Sequence, residues 1–204
     1  MEEESKSDTP KKINRFKTVP VHELKGHTET VEYAKFDSSG KWLVTGGMNN
    51  LLRVWDVCDD FKLKRNLDQV PVEDLNFVEW HQTAPLLLTG GKDYMVWMIN
   101  AVNGKVMANF MGHEEEVISA KFSLSDGGKQ IISCSSDQSI RVWSPLNAEC
   151  IKLIKNGVTK LAFHEDAVQC FQVHPTKSLI LSGGASGSVY GCNYISGGST
   201  GKIG

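Results

Sequence analysis

The chain has 204 residues, of which 40% are hydrophobic and 23% are charged, and this balance is ordinary for a soluble globular protein. The formal net charge is −2, and the Lys and Arg residues are scattered, with the densest groups at Lys11-Lys12 and between Lys62 and Arg65. The composition therefore argues against a nucleic-acid-binding surface. No apolar run approaches the roughly 18 residues that a membrane span requires.

The cysteines and the N-terminal segment both indicate an intracellular, reducing compartment. The cysteines are odd in number and form no C-x-x-C pair, so we expect neither a disulfide framework nor a metal site, and nothing implies a cofactor. The first residues, MEEESKSDTPKKINR, lack the apolar core of a signal peptide. We predict that residues 1–17 form a flexible polar tail and that residues 18–204 form the folded part.

After this tail, the chain repeats itself with a period of about 44 residues, and of about 49 before the last copy. The recurring segment reads VTGGMNNLLRVW from Val44, LTGGKDYMVWMI from Leu88, ISCSSDQSIRVW from Ile132 and LSGGASGSVYGC from Leu181. A second matched segment precedes each copy, as in GHTETVEYAKF and GHEEEVISAKF. Short apolar runs between Gly, Asn, Asp and Pro turns predict four short strands per repeat. The predicted units are about 25–67, 68–110, 111–154 and 155–204.

These repeats resemble the WD-repeat β-propeller family, whose signature is G-H…W-D. In that family, a His before the blade, a Ser or Thr on its second strand, an Asp in the next turn and a Trp on the third strand form a hydrogen-bonded network. The resemblance places His113, Ser133, Asp137 and Trp143 in a complete network in the third repeat. Buried polar groups cost about 1 to 3 kcal/mol each when unpaired, so this network is a scaffold device and not a catalytic one.

The other three repeats match the network less fully. The matching residues are His27, Thr45 and Trp55 in the first repeat, Thr89 and Asp93 in the second, and His164 and Ser182 in the fourth. The departures are Asn49 in the first repeat, Pro71 and Ile99 in the second, and Ser186 and Cys192 in the fourth. We expect that packing, more than hydrogen bonding, holds the units that depart most.

The loops that enter the repeats share acidic side chains and contain no Lys or Arg. The acidic residues are Glu29, Glu73, Asp74, Glu114, Glu115, Glu116, Glu165 and Asp166. Because a propeller brings equivalent loops onto one surface, we expect these residues, called here the acidic rim, to bind a basic protein or peptide. The alternative is that they are ordinary solvated loop residues.

One motif suggests an enzyme. The segment GGSTG, residues 197–201, matches the G-x-S-x-G pattern with Ser199 as a hydrolase nucleophile. That motif requires a strand, a sharp elbow and a following helix, and only three residues follow it here. The overlapping SGGSTGKIG also fails as a phosphate-binding loop, because Ile203 stands where Ser or Thr must bind magnesium. We therefore expect no enzyme.

Within the WD-repeat proteins, the chain is most similar to the angio-associated migratory cell protein family, notably in VEWHQTAPLLL and in Trp97-Met98. The resemblance implies a non-catalytic protein of the cytoplasm and nucleus. Related fungal proteins chaperone a ribosomal protein by binding its basic terminus, so the implied partner is a ribosomal protein. The alternative is a signalling or cell-migration adaptor.

The chain is short for this family, whose rings have seven or eight blades. We expect about four blades in a partial ring, with VPVHEL, residues 19–24, as the outer strand of a further blade. The alternative is that VPVHEL completes the fourth unit and closes a small ring. We also expect self-association, because an open arc of blades exposes apolar faces.

Overall fold

The structure, a computed structural model, describes residues 22–158, 163–196 and 199–203. The predicted tail, residues 1–17, lies outside the described residues. The described residues form sixteen strands in four antiparallel sheets of four strands each, and no helix occurs among them. The predicted all-β partial propeller is confirmed.

Each sheet uses four consecutive strands, which hydrogen-bond in chain order. Sheet 1 contains β1 Val31–Phe36, β2 Trp42–Gly47, β3 Leu52–Asp56 and β4 Lys62–Asn66. Sheet 2 contains β5 Leu75–Trp80, β6 Leu86–Gly91, β7 Val96–Asn100 and β8 Val106–Phe110. Sheet 3 contains β9 Val117–Phe122, β10 Ile131–Ser135, β11 Ile140–Trp143 and β12 Cys150–Ile154. Sheet 4 contains β13 Val168–Val173, β14 Leu179–Gly184, β15 Val189–Asn193 and β16 Ser199–Ile203.

A recurring turn joins the second and third strands of every sheet. Asn50, Tyr94, Gln138 and Gly187 hold the same place in this turn, and their φ angles are 60°, 64°, 70° and 82°. Gly and Asn adopt this left-handed conformation readily, whereas an aromatic residue does so at a cost. Tyr94 is therefore an unusual residue for this position, and 47% of it is exposed.

Each sheet packs face to face on the next one along the chain, through three apolar clusters. We call the face toward the preceding sheet the leading face and the face toward the following sheet the trailing face. Between sheets 2 and 3, Leu88 and Val96 on a trailing face pack with Val117 and Phe122 on a leading face. The core is therefore divided into layers between sheets.

Hydrogen bonds from side chains to backbone carbonyls also cross these junctions. The Trp80 indole N–H donates to the Lys35 carbonyl at 2.9 Å, joining sheet 2 to sheet 1. The Asn76 amide donates to the Val117 carbonyl at 3.0 Å, joining sheet 2 to sheet 3. These bonds fix the height of one sheet against the next as well as satisfying polar groups.

The two outermost faces lack such cover. On the leading face of sheet 1, Val31 is 46% and Phe36 53% exposed, whereas the equivalent Val117 and Phe122 of sheet 3 are 0% and 3% exposed. On the trailing face of sheet 4, Leu181 is 43% exposed. No apolar cluster joins sheet 4 to sheet 1 among the residues that the structure describes. The four sheets form an open arc.

The fourth strand of sheet 4 is β16, which pairs with β15 between Val189 and Ile203. The alternative in which VPVHEL completes the fourth unit is therefore wrong, because β16 already occupies that edge. Residues 19–21 lie outside the described residues, and His22 to Leu24 form no strand.

Candidate functional site

The acidic loops and the recurring turns meet at one edge of the sheets, called here the upper edge. In each sheet a backbone amide of the turn donates to a carbonyl of the loop before the first strand. Examples are Lys92 to Glu73 at 2.8 Å and Ser136 to Glu116 at 3.1 Å. The antiparallel connectivity leaves the β3–β4 and equivalent turns at the opposite, lower edge.

Part of the acidic rim surrounds a cavity of about 580 Å³ between sheets 2 and 3. The lining residues are Glu73, Lys92, Tyr94, Glu115, Glu116 and Ser136. Glu73 and Glu115 are exposed, and Tyr94 brings an aromatic ring to the same place. Carboxylates beside an aromatic ring form a surface that suits a Lys or Arg side chain.

Two lysines lie within the acidic rim. Neither belongs to the acidic loops, so the sequence of those loops did not indicate them. The Lys92 ammonium binds the Asp74 carboxylate at 2.5 Å. This hydrogen bond, with the charges of Asp74 and Glu116, raises the pKa of Lys92. Lys155 lies 3.5 Å from Glu114. These pairs reduce the net negative charge and leave Glu73 and Glu115 as the accessible acids of the cavity.

The remaining rim residues are dispersed. Glu29 is exposed beside sheet 1, and Glu165 accepts a hydrogen bond from Asn156 at 3.3 Å on sheet 4. Asp166 accepts one from the Ser186 amide at 2.6 Å, which holds the turn of sheet 4. The structure therefore brings together Glu73, Asp74, Glu115 and Glu116, and places the others elsewhere along the edge.

Sequence reasoning missed Tyr94 and Glu32. Glu32, with Asp74 and Lys92, lines an adjacent cavity of about 300 Å³ between sheets 1 and 2. Tyr94 could have been noticed, because it stands where the other repeats have Asn, Gln or Gly. Glu32 follows Val31 inside a strand, and no pattern in the sequence distinguishes it.

The four network residues of sheet 3 form one continuous chain of hydrogen bonds. The Trp143 indole N–H donates to Ser133 Oγ at 2.8 Å, and Ser133 Oγ lies 2.7 Å from His113 Nε2. His113 Nδ1 lies 2.8 Å from Asp137 Oδ2, and Ser139 Oγ donates to Asp137 at 2.6 Å. All of these side chains are buried, so the network ties the entering loop, the turn and two strands together.

The protonation of this network follows from its surroundings. Burial lowers the pKa of His113, although the hydrogen bond and charge of Asp137 act in the opposite direction. Burial acts to raise the pKa of Asp137, but hydrogen bonds from His113, Ser139 and the Glu114 amide outweigh it and hold that pKa well below its ordinary value. Neutral His113 therefore donates from Nδ1 to the carboxylate and accepts the Ser133 hydroxyl proton at Nε2.

The network of sheet 1 has a different third member. Trp55 donates to Thr45 Oγ1 at 2.9 Å, and His27 Nε2 lies 2.7 Å from the same oxygen. Arg53 Nη1 lies 2.9 Å from His27 Nδ1, so this nitrogen accepts and the histidine carries its proton on Nε2. Asn49, which the sequence placed in the Asp position, instead donates to Thr28 at 3.2 Å.

Sheets 2 and 4 keep fragments of the network. In sheet 2, the indole of Trp97 donates to Asp93 Oδ2 at 2.5 Å, so Trp97 contacts the aspartate directly in a unit that lacks the histidine. In sheet 4, His164 Nε2 lies 2.9 Å from Ser182 Oγ, and the ring stacks edge-on against Tyr190. Each unit therefore retains a polar link in addition to its packing.

These histidines make stability depend on pH. Burial is the largest cause that lowers the pKa of His27, His113 and His164, so the folded chain holds them neutral at a pH where the unfolded chain takes up protons. Stability is fully present above about pH 6.5 and falls as the pH drops below it. The lowered pKa of Asp137 adds a second loss below about pH 4.

We expect urea denaturation to give a free energy of unfolding at least about 1 kcal/mol lower at about pH 5.5 than at about pH 7.5. A stability that does not change over this range would contradict the neutral state of the buried histidines.

Ser199 is the first residue of β16, and the described residues include no helix after it. The strand–elbow–helix context of a hydrolase nucleophile is therefore absent from the described part of the chain. Within the same residues, no group of three or more His, Cys, Asp or Glu side chains could hold a metal ion. Nor does the described structure include a helix of sufficient length and apolarity to cross a membrane.

Comparison with known proteins identifies the repeat. The family model described as WD domain, G-beta repeat matches residues 18–56, 104–144 and 155–201, which is more than half of the chain. The chain is 30% identical over 163 residues to the human angio-associated migratory cell protein, and this match covers 80% of the chain and 35% of that protein. It is 29% identical over 157 residues to the fission yeast pre-mRNA-splicing factor cwf17, covering 75% of the chain and 45% of that factor.

A third relative, the bovine pre-mRNA-processing factor 19, is 32% identical over 96 residues, which are 47% of the chain and 17% of that factor. The chain thus spans less than half the length of each of these relatives. With the four four-stranded sheets and the repeated network, the match establishes that the chain belongs to the WD-repeat family.

Proposed function

We propose that this chain is a non-catalytic scaffold that captures a short, basic, otherwise unfolded peptide at its upper edge, and that the peptide is a terminus of a ribosomal protein. The observation that carries the proposal is the cavity between sheets 2 and 3, where Glu73, Glu115 and Glu116 lie beside the exposed ring of Tyr94. The likeness to the angio-associated migratory cell protein family supports the ribosomal assignment. We also propose a cytoplasmic location that extends to the nucleus.

Electrostatics favour an extended cationic ligand over a compact one. Glu32 and Asp74 line the adjacent cavity between sheets 1 and 2, so acidic side chains continue along the edge across two junctions. With a Debye length of about 10 Å at moderate salt, their fields overlap and steer a Lys- or Arg-rich segment toward the edge. An unfolded segment can place successive basic side chains in successive cavities.

The backbone conformation of Tyr94 supports the proposal, because it is unfavourable for a tyrosine. A non-glycine residue in the left-handed region loses about 1 to 2 kcal/mol relative to the right-handed one. Tyr94 nevertheless occupies such a turn, at φ 64°, and presents its ring at the mouth of the cavity. A cation over the face of an exposed tyrosine gains about 0.5 to 1 kcal/mol, so the ring compensates for part of this cost only when a ligand is bound.

Calorimetric titration with a Lys- and Arg-rich peptide tests the proposal at low and at physiological ionic strength. We expect the affinity to fall steeply with salt, and Glu73→Lys combined with Glu115→Lys to abolish most of the binding, because it reverses the two accessible charges of the cavity. The matched control is Asp59→Lys combined with Glu149→Lys, which makes the same change in net charge on exposed lower-edge turns. Binding that resists salt, or that the control weakens equally, would overturn the proposal.

A second variant separates the ring from the charges. Tyr94→Asn should weaken the peptide without changing the net charge, and it should raise the free energy of unfolding by up to about 1 kcal/mol, since Asn tolerates the left-handed turn. A Tyr94→Asn variant that is more stable and binds the peptide with unchanged affinity would show that the ring does not contribute to the site.

The second candidate function is a scaffold within a pre-mRNA splicing assembly. Two relatives favour it, because one is named a pre-mRNA-splicing factor and the other a pre-mRNA-processing factor. A general signalling or cell-migration adaptor is the remaining candidate of the same class. Either would bind a folded protein, so the basic peptide would show no specific titration with the unmodified chain.

A further inference from the structure

The two cavities of the upper edge share one lining residue, Lys92. It lines the cavity of about 580 Å³ between sheets 2 and 3 and also the cavity of about 300 Å³ between sheets 1 and 2. Glu73 and Glu115 line the first of these cavities, and Glu32 and Asp74 line the second. A basic segment that extends from one cavity into the other therefore passes Lys92.

The backbone places Lys92 beside Asp74. The Lys92 amide donates to the Glu73 carbonyl at 2.8 Å, which joins the turn to the acidic loop. A Cβ at Gly91 would lie 1.9 Å from the Asp74 carbonyl oxygen, so only glycine allows the turn and the loop to approach this closely. The Lys92 and Asp74 side chains therefore start from two backbone segments in direct contact, and their charged groups meet at 2.5 Å.

The fold does not require a lysine at this position of the turn. The equivalent residues of sheets 1, 3 and 4 are Met48, Ser136 and Ala185, whose amides donate to the entering loop as the Lys92 amide does. None of these three side chains is charged. The Lys92 and Asp74 side chains are each 59% exposed, and an ion pair as exposed as this one contributes little to stability. The ammonium group of Lys92 therefore needs an explanation other than folding.

The surroundings of Lys92 are those that a basic ligand would require. The hydrogen bond to Asp74 and the charge of Asp74 raise the pKa of Lys92, and the charge of Glu116 acts in the same direction. The ammonium is therefore charged at neutral pH and occupies the Asp74 carboxylate. A lysine of a ligand would bind that carboxylate through the same kind of group. Because Asp74 is already paired, a ligand cation forms an ion pair there only if it replaces Lys92.

We propose that Lys92 is a built-in competitor of the basic ligand: its ammonium occupies the Asp74 carboxylate in the free chain, and a basic side chain of the ligand displaces it on binding. This inference rests on the proposed function, because it concerns the same site. Exchange of one cation for another at Asp74 adds no ion pair, so the net affinity comes from further basic side chains at Glu73 and Glu115. The site therefore selects segments with several basic residues over segments with one.

Calorimetric titration of Lys92→Met with an amidated Lys- and Arg-rich peptide tests the effect on affinity. We expect this variant to bind the peptide about five- to tenfold more tightly than the unmodified chain, because Asp74 becomes available as an exposed partner. Methionine suits the turn, since Met48 occupies the equivalent position in sheet 1. Lys155→Met is the matched control, because Lys155 lies 3.5 Å from the rim residue Glu114 but lines neither cavity. It should change the affinity by less than about twofold.

The displacement itself is tested with a water-soluble carbodiimide, which joins a carboxylate to an amine that contacts it. In the free, unmodified chain we expect a cross-link between Lys92 and Asp74, which mass spectrometry of the digested chain identifies. Saturating peptide should lower the yield of this cross-link and give a peptide adduct on Asp74. The internal control is the ion pair of Lys35 with Glu79, which lies on the first strands and lines neither cavity. The peptide should not change its yield.

The outcomes separate this inference from the proposed function. If the unmodified chain binds the peptide and Lys92→Met binds it no more tightly, Lys92 is not a competitor, and the basic-peptide site still stands. A Lys92–Asp74 cross-link whose yield persists at saturating peptide would overturn the inference in the same way, as would equal gains in affinity for Lys92→Met and Lys155→Met. Absence of binding by the unmodified chain and by Lys92→Met alike would overturn the inference and the proposed function together.

Discussion

Trp143→Ala is expected to lower the free energy of unfolding by about 3 to 5 kcal/mol. Trp143 is 0% exposed and lies in the apolar layer between sheets 2 and 3, with its ring 5.9 Å from that of Phe110. Truncation leaves a cavity in the apolar layer, and two packed sheets cannot easily close it. It also removes the indole donor to Ser133, so a packing loss and a hydrogen-bond loss fall on one residue.

Urea denaturation at neutral pH measures this loss, and Trp42→Ala is its control. Trp42 is a tryptophan of the same size on β2, but it is only partly buried, and Lys41 covers its ring from the solvent side at 4.9 Å. We expect the control to lose clearly less stability. Equal losses for Trp42 and Trp143 would show that burial between the sheets is not what makes Trp143 important.

Asp137→Ala is expected to lower the free energy of unfolding by about 3 to 5 kcal/mol, because several buried donors lose one acceptor and each unsatisfied buried donor costs about 1 to 3 kcal/mol. The carboxylate accepts from His113, from the Ser139 hydroxyl at 2.6 Å and from the Glu114 amide at 3.1 Å. Alanine leaves these donors buried without an acceptor. Thermal denaturation should show a large fall in melting temperature, together with loss of the acid-dependent step below about pH 4.

Asn49→Ala is the matched substitution in sheet 1, because Asn49 occupies the same turn position. Its side chain is partly exposed, and within the described ranges it bonds only to Thr28 and the Leu51 amide. We expect a loss of less than about 1 kcal/mol. An Asp137→Ala protein that melts like the unmodified chain would refute the role of the sheet 3 network.

Much of the fold could be predicted from the sequence because four matched copies of one repeat must share one structure. Through the resemblance to the WD-repeat family, Ser133, Asp137 and Trp143 indicated a hydrogen-bonded network across one turn. The period of about 44 residues then fixed the number of sheets. These inferences used only residues of one unit, where distance along the chain predicts distance in space.

The site was less predictable because it lies between units. Lys92 reaches the acidic rim from a turn, and Lys155 reaches it from the end of an outer strand. Neither lysine belongs to the acidic loops that the sequence analysis compared. Arg53 was missed for a different reason, because the family pattern does not include its position on the third strand, from which it reaches His27 within sheet 1. Charge counted along the sequence therefore overstated the acidity of the upper edge, since the neutralising cations come from other segments.

The reversed histidine of sheet 1 has a consequence for protein engineering. His27 accepts at Nδ1 from Arg53, whereas His113 donates from Nδ1 to Asp137, so the two units have opposite imidazole tautomers despite their similar sequences. Replacing Asn49 with the consensus aspartate would introduce an acceptor where an acceptor is already present, and the ring would have to exchange its proton and release Arg53. Repeats of this protein are therefore not interchangeable modules: a designer who transplants one turn must also transplant the residue that sets the histidine's tautomer.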